Sequence, residues 1–211
     1  MLSLHNFLAL ILFGCLLAAC QDKPLPILGE RKTSTSIKDG KEVVDTIYFT
    51  IPNFKFVNQD SQWVTNATFA NKIYITDFFF TTCPTICPIM KTQMLRVYEK
   101  FKDNPKIAFL SHTLDPKHDT VALLKDFAKK LNADTQKWHF VTGDKDDIFN
   151  IAQTSYLVSA LTDPNEPGGI VHSGALILID SKRRIRGYYD GTKEKDVDRL
   201  INDLPKLLAE N

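Results

Sequence analysis

The sequence predicts an α/β domain. Residues 72–80 (KIYITDFFF) are a nearly continuous β-branched and aromatic run, apolar residues at helical spacing follow it directly, and strand and helix signals then alternate down the chain. A strand so uniformly apolar is buried on both faces, as central strands of such sheets are. The 211 residues are 44% hydrophobic and 24% charged, which suits one domain with a full core and excludes disordered and collagen-like chains.

The elements follow in order. Residues 7–17 (FLALILFGCLL) form an apolar run of signal-peptide length, short of the roughly 20 residues needed to span a bilayer. They lead into Leu17-Ala18-Ala19-Cys20, which looks like a bacterial lipobox. Residues 1–19 are therefore expected to be a lipoprotein signal peptide, with Cys20 acylated at the start of the mature chain. Cys15 fits less well, because Phe13 stands where a small residue is wanted. A plain secretory signal is the other alternative, since MLSLHN carries no Lys or Arg. Acyl chains contribute about 0.8 kcal/mol per buried CH₂, so a multiply acylated terminus holds the protein on its membrane, outside the cytoplasm. Residues 20–45 are polar, with prolines at 24 and 26, and read as a flexible tether.

Residues 46–211 read as the folded domain, without repeats or low-complexity tracts. Asn58-Gln59-Asp60-Ser61 separates two alternating runs, as in a β-hairpin. After the central strand, Met90, Met94, Val97, Tyr98 and Phe101 give one apolar helix face. Residues 107–110 make a second buried strand, and Asp119 is a candidate N-cap for a helix carrying Leu124, Phe127, Ala128 and Leu131. Residues 139–142 form a short strand, and Asp144 opens a helix through Ile148, Ile151 and Ala152. The stretch LTDPNEPGG reads as a loop. Residues 171–179 and 184–189 then form a strand pair around Asp180-Ser181, and Val197, Leu200, Ile201 and Leu204 mark a closing helix.

Charge excludes one class of partner. Lys+Arg 26 against Asp+Glu 25 leaves +1, and no basic run provides a footprint for nucleic acid. The chemistry lies instead in TTCPTICPIM, which puts Cys83 and Cys87 between the central strand and a helix, where sites gather in open α/β sheets. Pro88, or Pro84 one turn earlier, suits a first helical turn. The free N–H groups and positive end of the helix there favour thiolate over thiol. Positions i and i+4 in a helical turn have Cα atoms about 6 Å apart, close enough for a disulfide or for two bonds to one ion. A stabilising disulfide or two inert core cysteines are the plain alternatives. A loop this short gains little from crosslinking.

Two thiolates hold Cu(I), whereas a stable Cu(II) or Zn(II) site wants an imidazole as well. Of the five histidines, His5 leaves with the signal peptide, and His139 reads as a packing or surface residue of an edge-like strand. His112 and His118 flank the LDPKHD loop and read as strand-end or turn residues. His172 follows the glycine-bearing PGGIV and precedes the buried SGALILID, so its loop can carry the ring to the sheet edge where the cysteines lie.

Taken in order behind the lipobox, FTTCPTICP, LDPKHDT, VTGDKDDI and VHSGALILID resemble the Sco/SenC family of copper-binding proteins, over residues 51–208. The resemblance implies a thioredoxin-like fold with an added N-terminal β-hairpin. It also implies one copper bound by two cysteines and a histidine, which match Cys83, Cys87 and His172. Many members carry Asp after the first Cys-Pro, where this chain has Thr85, so a negative charge beside the site is missing. Asp115 matches a carboxylate common in the family, and reads either as a residue supporting the site or facing a partner, or as part of a plain Asp-Pro turn.

The resemblance implies a membrane-anchored copper chaperone that supports assembly of the binuclear copper site of cytochrome c oxidase, with subunit II or another extracytoplasmic copper enzyme as partner. A thiol-disulfide reductase using Cys83 and Cys87 on the cysteines of a copper-receiving protein is the alternative. His172 tilts the balance, because reduction does not require it. A peroxidase would not need the close cysteine pair and the histidine together, and a copper or redox sensor uses the same groups.

Overall fold

The computed structural model describes residues 23–166 and 168–210. The expected signal peptide, Cys15 and Cys20 lie outside the described residues. Four α-helices and eleven strands are present among the described residues, with a short 3-10 turn at Asn66–Phe69 and a π turn at Ile151–Ser155. The strands are β1 (Arg31–Lys38), β2 (Lys41–Tyr48), β3 (Lys55–Asn58), β4 (Trp63–Thr65), β5 (Ile73–Phe79) and β6 (Ile107–Thr113). They continue with β7 (Trp138–Thr142), β8 (Ala160–Thr162), β9 (Ile170–His172), β10 (Ala175–Ile179) and β11 (Ile185–Asp190). The helices are α1 (Ile86–Phe101), α2 (Val121–Lys130), α3 (Lys145–Asn150) and α4 (Glu194–Ala209).

Seven strands form one sheet in the order β11-β10-β5-β6-β7-β3-β4. β5, β6 and β7 run parallel, because α1 and α2 return the chain between them, while β10, β11 and β3 pair antiparallel to their neighbours. This is the thioredoxin-like arrangement, with the β3–β4 hairpin added at the β7 edge. Every residue of β5 is buried, as its apolar run requires. Its side chains alternate between two layers. Asp77 and Phe79 face α1 and α2, where Lys91 and Phe127 meet them; Tyr74 and Phe78 face the opposite layer, where both contact Tyr156.

The tether differs from its sequence reading. Residues 31–48 pair as a hairpin, outside the core. The signal was present: Asp39-Gly40 both take positive φ, +53° and +71°, the pattern of a tight hairpin turn, between strands rich in Thr, Val and Ile. Residues 25–28 are docked rather than free. Leu28 donates its N–H to the Ile185 carbonyl at 2.8 Å, and buried Arg186 donates to the Leu25 and Pro26 carbonyls while pairing with Asp180 and Glu210.

Three other expectations change. The Thr120 hydroxyl, not Asp119, caps α2, accepting from the Leu123 N–H at 3.3 Å. Asp144 caps α3 as expected, accepting from the Asp146 and Asp147 N–H groups. The stretch read as a loop, residues 161–169, starts inside β8 and connects it to β9, its antiparallel partner, and the strand expected over residues 171–179 is broken at Ser173-Gly174. That break brings the end of β9 to the carboxyl end of β5.

Candidate metal centre

The turn after β5 closes with the Cys83 N–H donating to the Phe80 carbonyl at 3.2 Å. Cys87 is the second residue of α1, and both cysteines are free thiols and buried. Opposite them, β8 and β9 pair Ala160 with His172. Gly168, at φ +83°, lies so close to Phe80 that an added Cβ would sit 2.7 Å from the ring. Phe80 meets the His172 ring edge-on at 5.4 Å. The glycine thus lets the loop press inward until the imidazole overhangs the cysteines.

The Nε2 atom of His172 lies 3.4 Å from Cys83 Sγ and 3.5 Å from Cys87 Sγ. All three donor atoms fall within 4.8 Å of one another, the one such group of metal-binding side chains among the described residues. Bonds of about 2.3 Å to sulfur and 2.0 Å to nitrogen at a tetrahedral angle leave S and N about 3.6 Å apart. The spacing therefore fits one shared ion, and two soft sulfurs with an imidazole suit copper in either oxidation state. The other imidazole nitrogen, Nδ1, is buried and makes no hydrogen bond of ordinary geometry among the described residues.

The two thiols differ. Burial works against the Cys83 thiolate, but the N–H groups of Thr85 and Cys87, with the Cys87 and Thr85 side chains, bring its pKa below the usual thiol value. Burial dominates at Cys87 and pushes its thiol well up, although Lys91 and the Phe80 backbone oppose it. Burial also lowers the His172 pKa, against the Ser173 backbone and the Asp77 charge, so the ring is kept neutral and able to ligate.

The remaining candidates are placed elsewhere. His112 is the penultimate residue of β6, near the strand end as expected, fully buried against Phe78 at 4.7 Å, with its pKa lowered to about 3 by burial. His139 is buried in β7, which is interior rather than an edge, beside the Asn58 amide at 3.3 Å. His118 is exposed and its N–H reaches the Asp115 carbonyl, so Asp115 forms the Asp-Pro turn. Thr85 is the residue before α1, and its hydroxyl stands 3.7 Å from Cys83 Sγ.

Sequence reasoning gave Asp119 only a capping role and passed over the pairing of Lys91 with Asp77. Asp119 accepts from the Thr81 N–H at 3.1 Å and from the Thr81 and Thr113 hydroxyls, tying the cysteine loop to the end of β6. Lys91 and Asp77 pair at 2.7 Å beneath Cys87, with side chains 6% and 0% exposed. The available signal for the pair was Asp77, a charged residue inside the apolar run of β5.

A family profile described as SCO1/SenC matches residues 46–209. The chain belongs to the SCO1/SenC family. A SCO1/SenC family lipoprotein from Bacillus anthracis superposes with a TM-score of 0.70 at 27% identity, covering 76% of this chain and 95% of that one. BsSco, described as a member of the Sco family of cytochrome c oxidase assembly proteins with a disulfide switch, superposes at 0.67 and 27% identity, covering 77% and 95%. Arabidopsis thaliana ScoI with copper bound superposes at 0.63 and 25% identity, covering 76% of this SCO1/SenC chain and 98% of that one.

Proposed function

We propose that the protein is a copper chaperone that holds one copper through Cys83, Cys87 and His172. The single observation that carries this reading is the convergence of His172 Nε2 on both sulfurs, at 3.4 and 3.5 Å. The copper-bound state of the Arabidopsis relative supports it. The ion is cargo. Bound to two thiolates and an imidazole, copper can change oxidation state without changing its ligand set. The chain's own residues do the rest: α1 presents Cys87, the turn after β5 presents Cys83, and Gly168 and Phe80 seat the imidazole.

The recipient in this reading is cytochrome c oxidase subunit II, whose binuclear copper site the protein helps to build, or another extracytoplasmic copper enzyme. The description of BsSco as a member of an oxidase-assembly family supports it. Residues 1–19 act as signal peptide and Cys20 as lipid anchor, in line with the lipoprotein from Bacillus anthracis. No helix among the described residues is long and apolar enough to cross a membrane, so an acylated Cys20 would supply the attachment.

A thiol-disulfide reductase is the second reading. A cleft of about 250 Å³, lined by Phe80, Pro88, Leu95 and Phe127, opens beside the two free thiols and favours it as a seat for a target segment. Titrating the reduced chain with Cu(I) and Cu(II) tests the first reading. One copper per chain with a thiolate-to-Cu(II) band is expected; no binding would overturn it.

A further inference from the structure

We infer that Lys91 is a positioning residue for the copper site: its ammonium, locked beneath Cys87 by Asp77 and Ser111, is a fixed positive charge that biases the bound ion toward Cu(I). This rests on the copper reading above.

Lys91 follows Cys87 by four positions on α1, so both side chains leave the same helix face. Its ammonium donates to Asp77 Oδ2 at 2.7 Å and to Ser111 Oγ at 3.0 Å, and it lies 4.0 Å from the centre of the Phe79 ring. Ser111 donates to Asp77 Oδ1 and accepts from the Trp138 indole at 2.9 Å. Asp77, Ser111 and Phe79 are themselves fully buried, which restricts the ammonium.

Stability alone does not explain such a pair. Replacing a buried ion pair by well-packed apolar residues is often neutral or stabilising. The location is informative instead. Lys91 is the charged residue lining the cleft it shares with Cys83 and Cys87, while Asp77 lies behind it and does not line that cleft. The cation therefore borders the cleft that holds the sulfurs and acts on Cys87, whereas the Asp77 charge is felt at His172 rather than at Cys87.

Two thiolates and a neutral imidazole give a net charge of about zero with Cu(II) and about −1 with Cu(I). One electron added at copper, with no proton, places one more negative charge at the site. A nearby cation favours the more negative state, and does so strongly where water is excluded.

The test uses the full-length chain in detergent, loaded with one equivalent of copper and titrated potentiometrically against redox mediators. Asp77→Asn keeps the side-chain shape and leaves the cation uncompensated, so the affinity ratio of Cu(I) over Cu(II) should rise above that of the unmodified chain. The double variant D77N/K91M removes the cation and should lower the ratio at least about tenfold from D77N, equivalent to about 59 mV for a one-electron couple. Thiolate-to-Cu(II) absorption in each variant reports that the ligands are intact. Equal ratios in the two variants overturn the inference. Should the double variant fail to fold, D77N decides alone, and an unchanged or lower ratio overturns it. An unmodified chain that binds no copper overturns the copper reading and this inference with it, which is distinct from copper bound with equal ratios.

Discussion

The Nε2 atom of His172 lies 3.4 Å from the Cys83 sulfur across 89 positions of sequence. A contact of that separation is made only by closing the sheet: β10 must pair with β5 before the end of β9 can overhang the turn that carries Cys83. The ligands come from separate elements and are therefore separable by substitution.

Cys83→Ser and Cys87→Ser should each abolish the thiolate-to-Cu(II) band, because both sulfurs share one ion. His172→Ala should weaken Cu(II) more than Cu(I), since two thiolates still satisfy the softer ion. The Cys83/Cys87 pair of that variant should still cycle through its disulfide. In cells lacking the protein, His172→Ala should fail to restore oxidase assembly. Full restoration by it, with failure of both cysteine variants, would favour the reductase reading.

Acylation at Cys20 should send the native protein into the detergent phase, and Cys20→Ala should leave it unmatured. N-terminal mass spectrometry decides this. An unmodified mature terminus at another residue would end the lipoprotein reading.

Gly168→Val should disturb the site without touching a ligand. Its φ of +83° strains any L side chain, and the new Cβ would meet Phe80 at 2.7 Å. A cost of about 1–3 kcal/mol is expected from the backbone alone. Because Phe80 packs on the His172 ring, Cu(II) affinity should fall along with the melting temperature. A lower melting temperature with unchanged affinity would show that Phe80 does not seat the imidazole.

Stability should fall as the solution is acidified. Burial keeps His112 and His139 neutral in the folded chain, with pKa values lowered to about 3 and about 4. The unfolded chain takes up protons at both from about pH 6.5 downward while the folded chain does not. The contribution of each is thus complete above pH 6.5 and shrinks by about 1.4 kcal/mol per unit as the pH drops toward the folded value. Urea midpoints at pH 7 and pH 5 measure the effect. His112→Phe should reduce the difference by about 2 kcal/mol, and an undiminished difference would contradict this account.

The sequence by itself determined the features that depend on neighbours along the chain. The apolar run at β5 dictates a central strand, the proline-flanked cysteines mark its junction with α1, and Asn58 to Ser61 dictates the turn before β4. His172 was legible because the glycines before it permit a close approach, although the loop proved to connect an antiparallel strand pair. The tether was misread where a local turn signal at Asp39-Gly40 was outweighed by polar composition. Only the tertiary structure decided which charges and imidazoles are buried. Asp77, Lys91 and Ser111 lie on three separate elements, and Asp119 joins two loops 38 positions apart. A polar residue in an apolar run looks the same in sequence whether it faces water or a partner. Its partner is fixed only when distant strands and helices pack, because burial without a hydrogen bond or counter-charge is too costly to persist.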